Sequence, residues 1–237
     1  MAYGYDLKSE EDVKEYLKNL GTEYRFGCFK EKKPEVCHLL GDYLEAISKD
    51  FHKAAKVYKS NCEDFNYSKS CYKIGNYHMA GKGGVVQSQE KSLEYYDKGC
   101  DLGDIDSCFR AGVISVLNSK KTKPFSTFSH GVERLRKGCD GKHGDACHHL
   151  SALFMDGNNT KTDHLPKDMK KAFEYAVKAC DLGNIHACVN VSIMYMRGEG
   201  VEKDQGKSDK YKNIALEKKK EAEQQKQLTF QEGLKAV

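Results

Sequence analysis

Small and apolar residues recur along this chain at helical spacing, and the pattern repeats. Three places after Cys37, Cys71, Cys108, Cys147 and Cys188 stand Leu40, Ile74, Ala111, Leu150 and Val191; one place further stand Gly41, Gly75, Gly112, Ser151 and Ser192. Steps of three and four put these residues on one helix face with the cysteine. A small residue there lets a second helix approach closely. Eight places before Cys62, Cys100, Cys139 and Cys180 stand Ala54, Ser92, Gly131 and Ala172, followed within four residues by Tyr58, Tyr96, Leu135 and Phe173. The pattern predicts amphipathic helices, each with a close-packing notch and an apolar ridge.

Each period therefore reads as a helical hairpin. A first helix follows the second cysteine of a pair, a loop turns the chain, and a second helix leads to the next pair. Cys100-Asp-Leu-Gly103, Cys139-Asp-Gly141 and Cys180-Asp-Leu-Gly183 place glycine where a left-handed residue closes a helix. Asp104 and Asn184 are then placed to cap the following helix. Loop glycines (Gly81, Gly83 and Gly84; Gly198 and Gly200) mark turns inside the hairpins. Successive second cysteines are 34, 37, 39 and 41 residues apart, a drift that belongs in the loops, where added length costs little entropy.

The expected fold class is all-α, an α-α superhelix or solenoid of five helical hairpins at 34–66, 68–104, 105–142, 144–183 and 185–220. A capping helix is expected within 1–33, a long charged helix at about 204–226 closes the array, and 221–237 forms a tail. The stretch 118–130, with Pro124, Phe125 and Phe128, reads as a surface insertion, with a binding loop as the alternative.

Composition agrees with thin layers rather than a deep core. The chain has 237 residues, 39% hydrophobic, with no Trp and three Pro. No alternating β-branched runs point to strands. The formal net charge is only +4, and between Lys203 and Lys226 eight lysines stand against five acids. That is a mixed-sign solvated helix, not a nucleic-acid footprint. No apolar stretch is long enough to span a bilayer. The first twenty residues lack the apolar segment of a secretory signal, and their acids (Asp6, Glu10, Glu11, Asp12, Glu15) oppose a mitochondrial presequence.

Ten cysteines fall into five near-neighbour pairs, Cys28/Cys37, Cys62/Cys71, Cys100/Cys108, Cys139/Cys147 and Cys180/Cys188. The first of each pair is expected in the last turn of one helix and the second in the first turn of the next. A tight reversal brings such positions within reach of a disulfide, so all ten are expected to be structural disulfide cysteines. Zinc is the poorer reading, since its sites favour closer spacings. Buried reduced thiols in a cytosolic protein remain as a further alternative.

These residues resemble Sel1-like repeats, relatives of the tetratricopeptide (TPR) repeat. The fullest unit is CYKIGNYHMAGKGGVVQSQEKSLEYYDKGCDLGD, from Cys71 to Asp104, and CVNVSIMYMRGEGVEKDQGKS at 188–208 is similar. The first unit lacks the glycine loop, and the third carries the insertion in its place. The paired cysteines are similar to two branches of the family, bacterial secreted proteins of the hcp type catalogued as beta-lactamases, and a mitochondrial group of cytochrome c oxidase assembly factors. The second branch is resembled more closely, through Ala54-Ala-Lys-Val, Ser70-Cys-Tyr-Lys-Ile-Gly, Gly81-Lys-Gly-Gly, Pro166-Lys-Asp-Met, Lys178-Ala-Cys-Asp-Leu-Gly and Leu228-Thr-Phe. Seven residues beyond Phe230 depart from it. The resemblance implies residence in the mitochondrial intermembrane space, with import through a thiol-disulfide relay. It also implies a non-enzymatic adaptor that binds respiratory complex subunits or assembly factors, with no nucleic acid as partner.

No catalytic constellation is evident. A beta-lactamase needs S-x-x-K with companion motifs, and the surroundings of Ser9, Ser115 and Ser208 do not supply it. No C-x-x-C redox motif or C-x-x-C-H haem attachment occurs. His38, His78, His143, His148, His149 and His186 lie near the cysteine frame and read as boundary residues rather than ligands. Adjacent His148 and His149 diverge on a helix. No metal site and no cofactor is therefore expected. The rival functions are a haem- or copper-binding chaperone with weak thiol-disulfide activity, and a secreted or cytosolic Sel1 scaffold. Tyr43, Tyr77 and Tyr195 are candidates for a concave lining, with packing between repeats as the plainer role.

Overall fold

The structure, a computed structural model, describes residues 5–6, 8–121, 124–159 and 164–235. Eleven helices form among them: α1 (Glu10–Phe29), α2 (Pro34–Ala46), α3 (Phe51–Phe65), α4 (Ser68–Ala80), α5 (Gln89–Asp101), α6 (Ile105–Ser119), α7 (Phe128–Asp140), α8 (Gly144–Asp156), α9 (Met169–Asp181), α10 (Ile185–Arg197) and α11 (Gln205–Lys235). The chain divides into two compact units, Met1–Ser107 and Cys108–Val237. One buries Leu40, Tyr58, Ile74 and Tyr77 around its cystines; the other buries Leu135, Leu150, Phe154 and Met194.

The two series of small residues meet one another. Ser92 donates its hydroxyl to the Gly75 carbonyl, and Ser151 donates to the Ala172 carbonyl, each at 2.8 Å. A Cβ added at Gly131 would lie 2.9 Å from the Gly112 carbonyl oxygen. Where the hairpin notch holds glycine, backbones approach; where it holds serine, the hydroxyl bonds the facing backbone and leaves no buried donor unpaired. In the last hairpin Ser192 faces Ser208, and each hydroxyl lies 2.8 Å from the other residue's carbonyl oxygen.

Every joint between hairpins turns on one left-handed residue: Lys32, Asn66, Gly103, Lys142 or Gly183. In the nine-residue pairs it falls four places after the first cysteine, in the eight-residue pairs three places after. This accounts for the two spacings. Asp104 then caps α6 by accepting from the Ser107 amide at 2.7 Å, and Asn184 caps α10 through the Ala187 amide at 2.8 Å. The expectation at Gly141 needs correction. Its φ is −74°, and the left-handed position belongs to Lys142, with φ +70°. Cys139-Asp-Gly141 lacks the leucine of its two counterparts, so its glycine arrives one residue early.

Three further departures lie in connections. The charged helix expected to end near 226 continues as α11 to Lys235, with no glycine or proline between Lys226 and Gly233 to stop it; residues 236–237 lie outside the described ones. A two-residue antiparallel ladder, β1 (Asn158–Asn159) with β2 (His164–Leu165), occupies the α8–α9 connection. In the 118–130 stretch, α6 runs on to Ser119 and Phe128 is core, 4% exposed. Asn118 Oδ1 gathers the loop by accepting from the amides of Phe125 and Ser126 at 2.7 and 3.2 Å; residues 122–123 lie outside the described ones.

Candidate functional site: stapled joints, a polar cluster and a groove

Cys28–Cys37, Cys62–Cys71, Cys139–Cys147 and Cys180–Cys188 are bonded across their joints, with Cα atoms 4.5–4.8 Å apart. Cys100 and Cys108 are disulfide-bonded as well, and among the described residues no cysteine is free. The helix ends meet here because the last turn of one helix and the first of the next flank a single left-handed residue. All ten cysteines are buried, at 6% exposure or less. Thiol–disulfide exchange needs an attacking thiolate to reach a sulfur, so these positions suit staples better than a redox centre.

The other residues singled out from the sequence scatter into local tasks. Ser9 caps α1 by accepting from the Asp12 amide at 3.3 Å. Ser115 is fully buried and accepts from the Ser126 hydroxyl at 3.0 Å, and Ser208 is buried against Ser192. Tyr77 and Tyr195 are 2% and 9% exposed. Tyr43 packs edge-on to Tyr24 and fills the space beside Gly21. All three tyrosines thus take the packing role.

His143 caps α8, accepting from the Ala146 amide at 3.2 Å, and stacks on Phe109. His78 stacks on Tyr95, and its Nδ1 lies 3.1 Å from the Val86 carbonyl. His148 and His186, which sequence spacing does not pair, lie with ring centroids 6.4 Å apart. Burial, then the neighbouring His149 and His186, lowers the His148 pKa, and its Nδ1 has no hydrogen-bond partner. Among the described residues, no three of His, Cys, Asp or Glu are grouped to hold a metal ion.

The first unit carries a cluster that sequence reading missed. Lys73 Nζ donates to Asp42 at 2.9 Å and to Glu45 at 3.1 Å, and Lys82 Nζ donates to Glu45 at 3.0 Å. Tyr58 donates its hydroxyl to Asp42 at 2.6 Å. Burial alone would raise both carboxyls, but hydrogen bonds from Tyr58 and Lys73 hold Asp42 below its ordinary value, and those from Lys82 and Lys73 hold Glu45 below its own. Asp42 and Glu45 stand five and eight places beyond Cys37, and Lys73 two beyond Cys71. Their place in the repeat frame was available as a signal. Their pairing across two hairpins was not.

Between α1, α2 and α3 lies an open cavity of about 520 Å³, within the range that holds ligands or side-chain anchors. Its floor is Cys37, Leu40 and Leu44 of α2; Phe29 and Val57 stand on the flanking helices. Among the described residues, no helix is long and apolar enough to cross a membrane.

Comparison with known proteins extends these observations. Residues 68–104, 144–184 and 185–208 match the family model described as Sel1 repeat. A Drosophila melanogaster protein named cytochrome c oxidase assembly factor 7 homolog is 46% identical, over 97% of this chain and 98% of its own. A Xenopus tropicalis protein named cytochrome c oxidase assembly factor 7 is 39% identical, over 98% of this chain and all of its own. Among solved structures, a Sel1 repeat protein from Oxalobacter formigenes superimposes with a TM-score of 0.67 at 15% identity, over 86% of this chain and 79% of that one. That likeness establishes the solenoid fold class.

Proposed function

The chain belongs to the cytochrome c oxidase assembly factor 7 family of Sel1 repeat proteins, and from that premise we propose that it supports assembly of cytochrome c oxidase in mitochondria. The observation that carries the reading is identity to such a factor along almost the whole chain, 46% over 97%. The protein acts without catalysis, by holding subunits or other assembly factors of the respiratory complexes against its repeat surface. Its working compartment is the intermembrane space. Cystines at its joints require an oxidising environment, and entry through a thiol-disulfide relay would close them on arrival.

The test is depletion and rescue in cells of the source organism. Depletion is expected to lower fully assembled cytochrome c oxidase on native gels, and re-expression to restore it. Protease added to mitochondria with ruptured outer membranes is expected to digest the protein, whereas intact mitochondria protect it. Normal oxidase levels after complete depletion would overturn the assembly role, and protection after rupture would overturn the compartment.

A further inference from the structure

We propose that the groove between α1, α2 and α3 is a docking site for an acidic amphipathic helix of a partner protein. The inference rests on the adaptor reading above and names its surface.

Shape is the first argument. Cys37, Leu40 and Leu44 are spaced i, i+3 and i+7 and so form one ridge-free strip along α2. Lys53, Val57, Ser60 and Asp64 form a parallel ridge along α3. From Lys53 to Asp64 this ridge runs about 16 Å at 1.5 Å per residue, room for a partner helix of about three turns. A depression between two helix ridges accepts a third helix, with apolar side chains at i, i+3 or i+4 and i+7 entering the floor.

Charge is the second, and it selects the occupant. Arg25 and Lys32 line the α1 side, and Lys53 and Lys56 line the α3 side; Asp64 is the sole carboxylate among the lining residues. Lys53 pairs at 2.9 Å with its own N-cap, Asp50, yet all four cations are exposed. An anionic acyl chain carries its charge at one end and would engage one side. Cations on both sides match a helix with carboxylates on both flanks of its apolar stripe.

Two details of the lining agree. Phe29 is 61% exposed and Phe65 37% exposed, large aromatics of the kind that anchor an interface once covered. Asn61 lines the same groove and is 1% exposed. Its Nδ2 donates to the Pro34 carbonyl and the Ser70 hydroxyl, while its Oδ1 has no partner. That oxygen is itself buried, so it adds no polar surface to the apolar floor.

The experiment titrates the purified full-length protein with a fluorescent model peptide of about 18 residues, long enough for a helix to persist. It carries Leu at i, i+3, i+4 and i+7 and Glu on both flanks; an otherwise identical peptide carries Lys. The Glu peptide is expected to bind saturably and the Lys peptide not at all. Arg25→Glu with Lys56→Glu is expected to weaken binding about tenfold, the size of two exposed attractions turned to repulsions, while Lys170→Glu in the other unit changes nothing. Phe29→Ser is expected to weaken it without altering helix content by circular dichroism. Equal binding of both peptides, or indifference to the double reversal, would overturn the proposal. So would phosphatidylglycerol vesicles that bind in a reversal-sensitive way while the Glu peptide does not. Because the titration uses purified protein, failure of the wild-type chain to rescue oxidase assembly would sink the proposed function and leave this result standing.

Discussion

A single left-handed residue turns the chain at every joint, and the side chain that occupies it varies. At Gly103 a Cβ would meet nothing within 4 Å, so Gly103→Ala tests backbone strain alone; a loss of about 1 kcal/mol is expected from the left-handed penalty. Lys142 already bears that penalty at φ +70°. Lys142→Gly is therefore expected to gain about 1 kcal/mol. Paired urea curves on the two variants check both signs; a loss at Lys142→Gly would contradict the frame. Histidine adds a pH dependence at the same scale. Burial, with His149 and His186 adding to it against Asp145, lowers the His148 pKa from 6.5. The unfolded chain then takes up a proton that the folded one refuses, so stability falls as pH drops through 6.5. His38, lowered by burial against Asp42, acts in the same direction. Asp42 and Glu45 act at more acid pH, where their stabilisation is lost as they protonate. The urea midpoint is expected to fall between about pH 7 and pH 5, and less steeply in His148→Gln. An unchanged slope in that variant would remove His148 from the account.

Helices and their joints were the most legible level. Apolar residues at steps of three and four identify the faces, and the cysteine frame repeats them often enough to align weak copies on strong ones. That is why the small-residue positions could be named from the sequence, although their facing one another could not. The error at Gly141 has the same source. A glycine marks a turn only to within a residue, and the φ angles are settled by where the preceding helix ends. Stapling contributes at this level too. Removing the Cys62–Cys71 bond as Cys62→Ser with Cys71→Ser is expected to cost about 2–3 kcal/mol, the chain-entropy value for so short a loop. Thiol trapping with intact mass should find no free cysteine in either form. Stability equal to that of the parent would mean the bond adds nothing to the packed sulfurs.

Across the molecule, a chain that is 39% hydrophobic is organised around many thin interfaces between neighbouring helices. Stability in such arrays is close to a sum of nearest-neighbour terms, which leaves surfaces free to meet partners. The polar cluster of Asp42, Glu45 and Lys73 and the groove over Leu40 and Leu44 both belong to the first unit, and neither shows in any single helix. Helix content, hairpin count and the pairing of each cysteine with its near neighbour were readable in one dimension, because they rest on local periodicity and on loops too short to join anything else. The notch contacts, the left-handed Lys142, the approach of His148 to His186 and the cations on both sides of one apolar strip were decided in three dimensions. Lys142 turns on where α7 ends; the others depend on which residues, distant in sequence, the packing of helices brings together, and periodicity does not encode that distance.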